Sequence, residues 1–84
     1  MRRIILDALC LTEKKEAHLY LQKQFSFPEY YGNNLDSLFD CLTDFGETLV
    51  HIKNGKDAGG YFNRILRVFE DAARVNDELV IEME

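Results

Sequence analysis

The stretch TLVHIKNGKDAGGYFNRILRVFEDAARVNDELVIEM, residues 48–83, reads in order as a strand, a glycine-rich loop, a long amphipathic helix and a second strand. Residues 48–52 (TLVHI) and 79–83 (LVIEM) are short apolar runs of strand length. Between them, Phe62, Ile65, Leu66, Phe69, Ala72 and Ala73 recur at i, i+3, i+4, i+7, i+10 and i+11, which gathers them on one face of a helix. The segment 54–60 (NGKDAGG) holds three of the five glycines and reads as a flexible loop. Two strands joined through a helix pair in parallel, with a right-handed crossover. This unit makes the chain an α/β protein.

Working toward the N-terminus, residues 3–7 (RIILD) are apolar and β-branched and predict a buried strand. Thr12 is placed to cap a helix from Glu13 to about Gln24, with Ala17, Tyr20, Leu21 and Gln24 at helical spacing and Leu21 and Phe25 continuing the apolar stripe. Pro28 ends that segment. A second helix is predicted from Asn34 to Thr43, with Asn34 as its cap and Leu35, Leu38 and Leu42 facing inward. The order β-α-α-β-α-β predicts a small α/β domain over residues 1–84, a three-stranded parallel sheet packed with three helices.

The chain has 84 residues. At that size only ~60–65% of the unfolded surface is buried, so there is room for one core and no second lobe. Any site must lie on the surface or in a shallow groove. The formal charge is −5, opposite in sign to that of most nucleic-acid binders, so direct binding of DNA or RNA is not expected and a basic partner is. Asp7 interrupts the N-terminal apolar run and no small-residue cleavage site follows, so a signal peptide is not expected. No stretch reaches the ~18 apolar residues of a membrane span. The reading is therefore a cytoplasmic protein that does not engage membranes. Cys10 and Cys41 form no CxxC pair and are expected as free thiols packed as small hydrophobes.

The charge is unevenly spread. Residues 29–48 contain Glu29, Asp36, Asp40, Asp44 and Glu47 and no lysine or arginine, so this segment alone equals the whole excess. Asp36, Asp40 and Asp44 stand at i, i+4 and i+8, stacked along one helix face. Like charges at that spacing oppose the helix by ~0.2–0.5 kcal/mol per pair. Asp36 is favoured by the positive N-terminal end of the helix dipole, whereas Asp40 and Asp44 approach the negative end. A solvated acidic face would account for the charge alone. Yet Tyr30, Tyr31, Phe39 and Phe45 lie among these carboxylates, and at least two of them are expected on the exposed side, the composition of a binding hot spot.

The run FPEYYGNNLDSLFDCLT, residues 27–43, closely resembles the barstar family, intracellular protein inhibitors of secreted bacterial ribonucleases of the barnase type. A weaker match continues through a first strand, a helix carrying His18, an LV-containing strand, a VF-containing last helix and an apolar final strand. The resemblance implies a domain that is monomeric when free, needs no cofactor or metal, is not an enzyme, and confers immunity on the cell that makes the toxin. It implies that an acidic helix and its preceding loop enter the ribonuclease active site and imitate RNA phosphates.

Carried over by motif position, Asp40 would be the central carboxylate in the enzyme's phosphate site, with Asp36 making contact one turn earlier. Tyr30 would lie on the catalytic histidine, and Gly32 would let the loop approach closely. Asn34, Leu35, Thr43 and Asp44 would line the same face, and Asp71 would make a peripheral charge contact. Phe39 stands where the family has tryptophan, keeping the ring and losing the indole donor. Asp44 and Phe45 replace a glycine and a tryptophan, Asp71 is one methylene shorter than the family's glutamate, and the loop before the last helix is shorter, which removes room for a small helix.

Other readings are weaker. Asp36 and Asp40 lack a third ligand at metal-site spacing. His18 is expected at the surface or in packing, and His51 as a structural residue of a strand. Cys41 points about a hundred degrees away from Asp40, toward the core, with no base to activate it. Two rival functions keep the chain in view: an immunity or adaptor protein for a different basic partner, and a small enzyme using Asp36 and Asp40 as acid and base, for which the sequence supplies no pocket.

Overall fold

The computed structural model describes residues 2–84. Three parallel strands, β1 (Arg2–Asp7), β2 (Thr48–Lys53) and β3 (Leu79–Met83), form one sheet in the order β1-β2-β3. Three helices accompany it: α1 (Lys14–Phe25), α2 (Leu35–Thr43) and α3 (Phe62–Val75). This is the predicted β-α-α-β-α-β order. A short 3-10 turn, Ala8–Leu11, was not anticipated; Asp7 caps it by accepting the Leu9 N–H at 3.0 Å.

The alternation of the strands assigns their faces. Ile4, Val50 and Ile81 pair across the sheet in one row, and Leu6, Ile52 and Met83 in the next. On this inner side the β1 and β2 residues are buried against the helices. The opposite rows, Arg3–Leu49–Val80 and Ile5–His51–Glu82, look outward. Ile5 is 54% exposed, which corrects the expectation of a strand buried throughout. The helices of so short a chain supply one layer, and parallel sheets are usually covered on both faces. On the open face His51 bonds Glu82 at 2.8 Å and Glu84 at 3.3 Å, and these carboxylates raise its pKa above the ordinary histidine value.

Helix α1 begins one residue later than its sequence suggests. Glu13, not Thr12, holds the cap position, and its side chain makes no capping bond. The inward residues of α1 are Ala17, His18, Leu21 and Phe25; Gln24 is exposed and Tyr20 only half-buried, its hydroxyl accepting the Asp7 N–H at 3.0 Å. The helix stops where Ser26 turns left-handed at φ 56° and returns its N–H to the Gln22 carbonyl.

Below the sheet lies an aromatic cluster. Phe25 and Phe27 stack with ring centroids 5.1 Å apart, Phe45 and Phe69 pack on Phe25, and Tyr31 packs on Phe27. Arg2 sits over Phe45 at 5.2 Å and donates to the Phe25 carbonyl at 2.8 Å, which ties the start of β1 to the end of α1. Both cysteines are free thiols, but Cys10 is exposed on the 3-10 turn rather than packed. Cys41 is half-buried, and burial followed by the Asp40 and Asp44 charges raises its pKa. The loop from β2 to α3 holds no helix; Asn54 fastens its start by donating to the Asp7 carboxylate at 3.0 Å. No helix among the described residues is long and apolar enough to cross a membrane.

Candidate functional site

Helix α2 has nine residues, and its amphipathicity separates a buried side from an exposed one. Leu38 and Leu42 are fully buried. Asp36, Asp40 and Asp44 are exposed, and Leu35, Phe39 and Thr43 form the half-buried margin of the same face, which corrects the expectation that Leu35 faces inward with the other two leucines: it lies in the first turn, at the open groove toward α3. The i, i+4 spacing thus yields one continuous stripe pointing away from the core. Among the described residues none of the three aspartates joins an ion pair. The folded chain therefore leaves a row of carboxylates without ion-pair partners on its surface.

The N-terminus of α2 is built by two asparagines and a glycine. Asn34 Oδ1 accepts the Ser37 N–H at 2.8 Å, and its amide donates to the Gly32 carbonyl at 3.1 Å. Asn33 is left-handed at φ 53°, a conformation asparagine tolerates better than most residues. A Cβ on Gly32 would come within 2.5 Å of Ser37 Oγ and 2.9 Å of the Asn34 amide. A side chain here would push aside the Ser37 hydroxyl and the Asn34 amide that closes on the Gly32 carbonyl, so glycine favours the cap as well as any close approach from outside. At the other end Thr43 Oγ1 donates back to the Asp40 carbonyl at 3.0 Å. Replacing Asn34 by alanine will cost ~0.5–2 kcal/mol of stability in urea unfolding, because the Ser37 N–H loses its partner; an unchanged midpoint would show that the cap is dispensable.

The loop before α2 is held from beneath. Its turn closes with Tyr31 N–H donating to the Pro28 carbonyl at 2.9 Å. Tyr31 is buried, and its hydroxyl lies 2.6 Å from His18 Nδ1; on the other side His18 Nε2 lies 2.7 Å from the Tyr61 hydroxyl. His18 is wholly buried. Its neutral ring offers one donor and one acceptor, so one tyrosine accepts and the other donates. Burial, with a smaller push from Lys14, holds its pKa below the ordinary histidine value. Tyr61 is fixed in turn by its N–H, which donates to the Thr12 carbonyl at 3.1 Å, beside Gly60 at φ 59°. One side chain thus links α1, the loop and the start of α3. The sequence ranks His18 as an ordinary helix residue; a polar residue aligned with Ala17, Leu21 and Phe25 is the signal that could have found it.

Tyr30, by contrast, stands 86% exposed. It is the only one of the four aromatics expected around the carboxylates that is free of the core. Tyr31 is buried, and Phe39 and Phe45 are half-buried against the core cluster. The expectation of at least two exposed aromatics is corrected accordingly: Phe45 packs at a tilt against Phe25 and Phe27.

Three shallow hollows surround the acidic stripe. Tyr30 and Asp44 share the first with Phe27, Cys41 and Phe45. Asn34, Leu35 and Asp36 line the second with Lys14, Tyr61 and Arg64. Leu35 also opens onto the third, in the α2–α3 groove, with Arg64, Arg67, Val68 and Asp71. Asp71 is thus brought to the edge of the stripe, but its carboxylate lies 3.3 Å from Arg74. Among the described residues no three histidine, cysteine or carboxylate side chains gather as a metal site would require.

The family model described as Barstar (barnase inhibitor) matches residues 1–83. A Bacillus subtilis (strain 168) protein named "Putative ribonuclease inhibitor YrdF" is 38% identical over 92 aligned positions, which take in 100% of both chains.

Proposed function

The chain belongs to the barstar family, and from that membership we propose that it is a protein inhibitor of a bacterial ribonuclease of the barnase type. It acts stoichiometrically, in the cytoplasm, and protects the producing cell from its own toxin. It is not itself an enzyme, and it binds no nucleic acid directly. The docking face consists of Tyr30, Gly32, Asn34, Leu35, Asp36, Phe39, Asp40, Thr43 and Asp44, with Asp71 at its edge.

The observation that carries this reading is the row of unpaired carboxylates on α2. A ribonuclease active site is a basic cleft shaped for a polyanion. Carboxylates spaced one helical turn apart, ~5.4 Å, present anionic oxygens at intervals that such a cleft can accept in place of phosphates. The charges that work against the isolated helix become favourable once cations face them. Tyr30 supplies the exposed ring that anchors a hot spot beside a charged centre. The name of the Bacillus subtilis relative points the same way. The hollows around the stripe are open, and no nucleophile with a positioned base lines them, which favours a binding surface over a catalytic one.

The test is a titration of the protein into a barnase-type ribonuclease while RNA cleavage is followed. One-to-one loss of activity is expected; full activity at a several-fold excess of the protein would refute the reading. Association will also be steered by charge, the effect for which this family's prototype pair is the standard example. Tripling the ionic strength from a low-salt buffer shortens the screening length and will slow association severalfold in stopped-flow mixing. A rate indifferent to salt would mean that the acidic stripe does not guide the encounter.

A further inference from the structure

The docking face is not uniformly acidic. Arg64 and Arg67 project from α3 into the groove it forms with α2, where Leu35 is the shared floor. Both arginines are exposed, and among the described residues neither joins an ion pair. Asp36 lines the same hollow as Arg64, and Asp71 the same hollow as Arg67, yet neither pairing is made. Asp71 is engaged instead by Arg74, one turn further from Arg67. Lys14 adds a third cation to the rim of the Arg64 hollow.

A cation-rich enzyme cleft spread over this groove would meet these arginines with like charge, and such juxtaposition costs several kcal/mol across an interface. The acidic stripe and the basic rim lie side by side, so a partner that covers both must change sign over the same distance. We propose that Arg64 and Arg67 are specificity-determining residues of the inhibitor: they meet carboxylates on the ribonuclease next to its basic active site, and so select ribonucleases whose cleft is bordered by acidic side chains. Arginine suits the role because its planar fork pairs with a carboxylate through two hydrogen bonds. This inference rests on the inhibitor reading and adds to it the charge pattern of the partner.

The two possibilities differ in sign. Reversing both arginines makes the whole protein more acidic. A uniformly basic partner would then bind the variant more tightly. A partner with matching carboxylates would bind it more weakly, against the trend of net charge. The experiment measures the dissociation constant for a barnase-type ribonuclease with the natural protein, the Arg64→Glu/Arg67→Glu variant, the milder Arg64→Gln/Arg67→Gln variant and Asp40→Ala. Circular dichroism melts establish that each is folded.

The glutamate variant is expected to bind about tenfold or more weakly, the glutamine variant to fall between it and the natural protein, and Asp40→Ala to lose binding on its own account. Acidic-to-lysine substitutions along the border of the ribonuclease cleft are then expected to restore binding of the glutamate variant alone. Equal or tighter binding of the glutamate variant, with Asp40→Ala still defective, overturns this inference and leaves the inhibitor reading standing. If the natural protein does not bind the enzyme, the inhibitor reading falls, and this inference with it.

Discussion

Asp40→Ala will weaken binding to the ribonuclease by ~2–5 kcal/mol or more, the usual cost of truncating one partner of a buried charge pair, a range for which the prototype complex of this family is itself a standard case. At 1.4 kcal/mol per tenfold this turns stoichiometric inhibition into a shallow titration. The argument is geometric. Asp40 occupies the middle of the stripe, one turn from Asp36 and one from Asp44, and lies on the outer face of α2 while Leu38 and Leu42 hold the inner face. No ion pair or side-chain hydrogen bond among the described residues depends on its charge. Its carboxylate takes part in no ion pair among the described residues, and beyond the helix's own backbone bonds the residue offers only its main-chain carbonyl, to Thr43. Removing it relieves two like-charge contacts of ~0.2–0.5 kcal/mol each. The melting temperature will therefore hold or rise slightly while binding collapses. A sharp fall in the melt would mean that Asp40 is structural.

The helix and its two sides were legible in the sequence because α2 obeys local rules throughout. An asparagine cap, leucines three and four residues apart and carboxylates four apart point to the same helix and the same two faces. The βαβ unit of residues 48–83 was legible for a similar reason. The stripe of α3 is long enough to fix its period, and Phe62, Ile65, Phe69 and Ala72 are buried as expected. What local pattern could not supply was competition between elements for the same core. Ile5 has the residue type of a buried strand but faces outward, since three helices cover only one side of the sheet. Phe45 has the residue type of a hot spot but packs against Phe25, whose position depends on where α1 ends. The 3-10 turn at Ala8–Leu11 is too short to have a period at all.

The candidate site was legible at its centre and not at its margins. The carboxylates stand out as a block of one sign within one short segment. Arg64 and Arg67 were invisible as neighbours of the stripe, because on α3 they are ordinary charges of a solvated helix side. Only the packing of α3 against α2 brings them beside Leu35. The support under the loop was hidden in the same way. His18, Tyr31 and Tyr61 lie on three separate segments, and their hydrogen bonds exist only once all three have been folded together.

That cluster carries the largest expected effect on stability. His18→Leu keeps a comparable apolar volume and removes both ring nitrogens. It leaves the buried Tyr31 hydroxyl and the half-buried Tyr61 hydroxyl without their partner. Each orphaned buried group costs ~1–3 kcal/mol, so urea unfolding is expected to lose about 2–5 kcal/mol in all. The triple variant His18→Leu/Tyr31→Phe/Tyr61→Phe removes the orphans as well, and is expected to recover much of the loss, since replacing every partner by apolar groups can be nearly neutral. A triple variant no more stable than His18→Leu would place the cost in packing rather than in unpaired hydroxyls. The pH dependence provides a second check. Burial lowers the His18 pKa in the folded chain, while the unfolded chain keeps the ordinary value near 6.5. As pH falls below 6.5 the unfolded state takes up the proton first, so stability declines until the lowered folded value is passed. His51, whose pKa is raised by Glu82 and Glu84, acts with the opposite sign. Its contribution is complete below 6.5 and fades as pH rises through its raised value, and its exposure to solvent keeps the effect small. The decline in stability on acidification just below 6.5 therefore belongs to His18, and it will be absent from the His18→Leu protein. A decline that persists there unchanged would assign it to another group and leave the buried histidine without a role in the pH response.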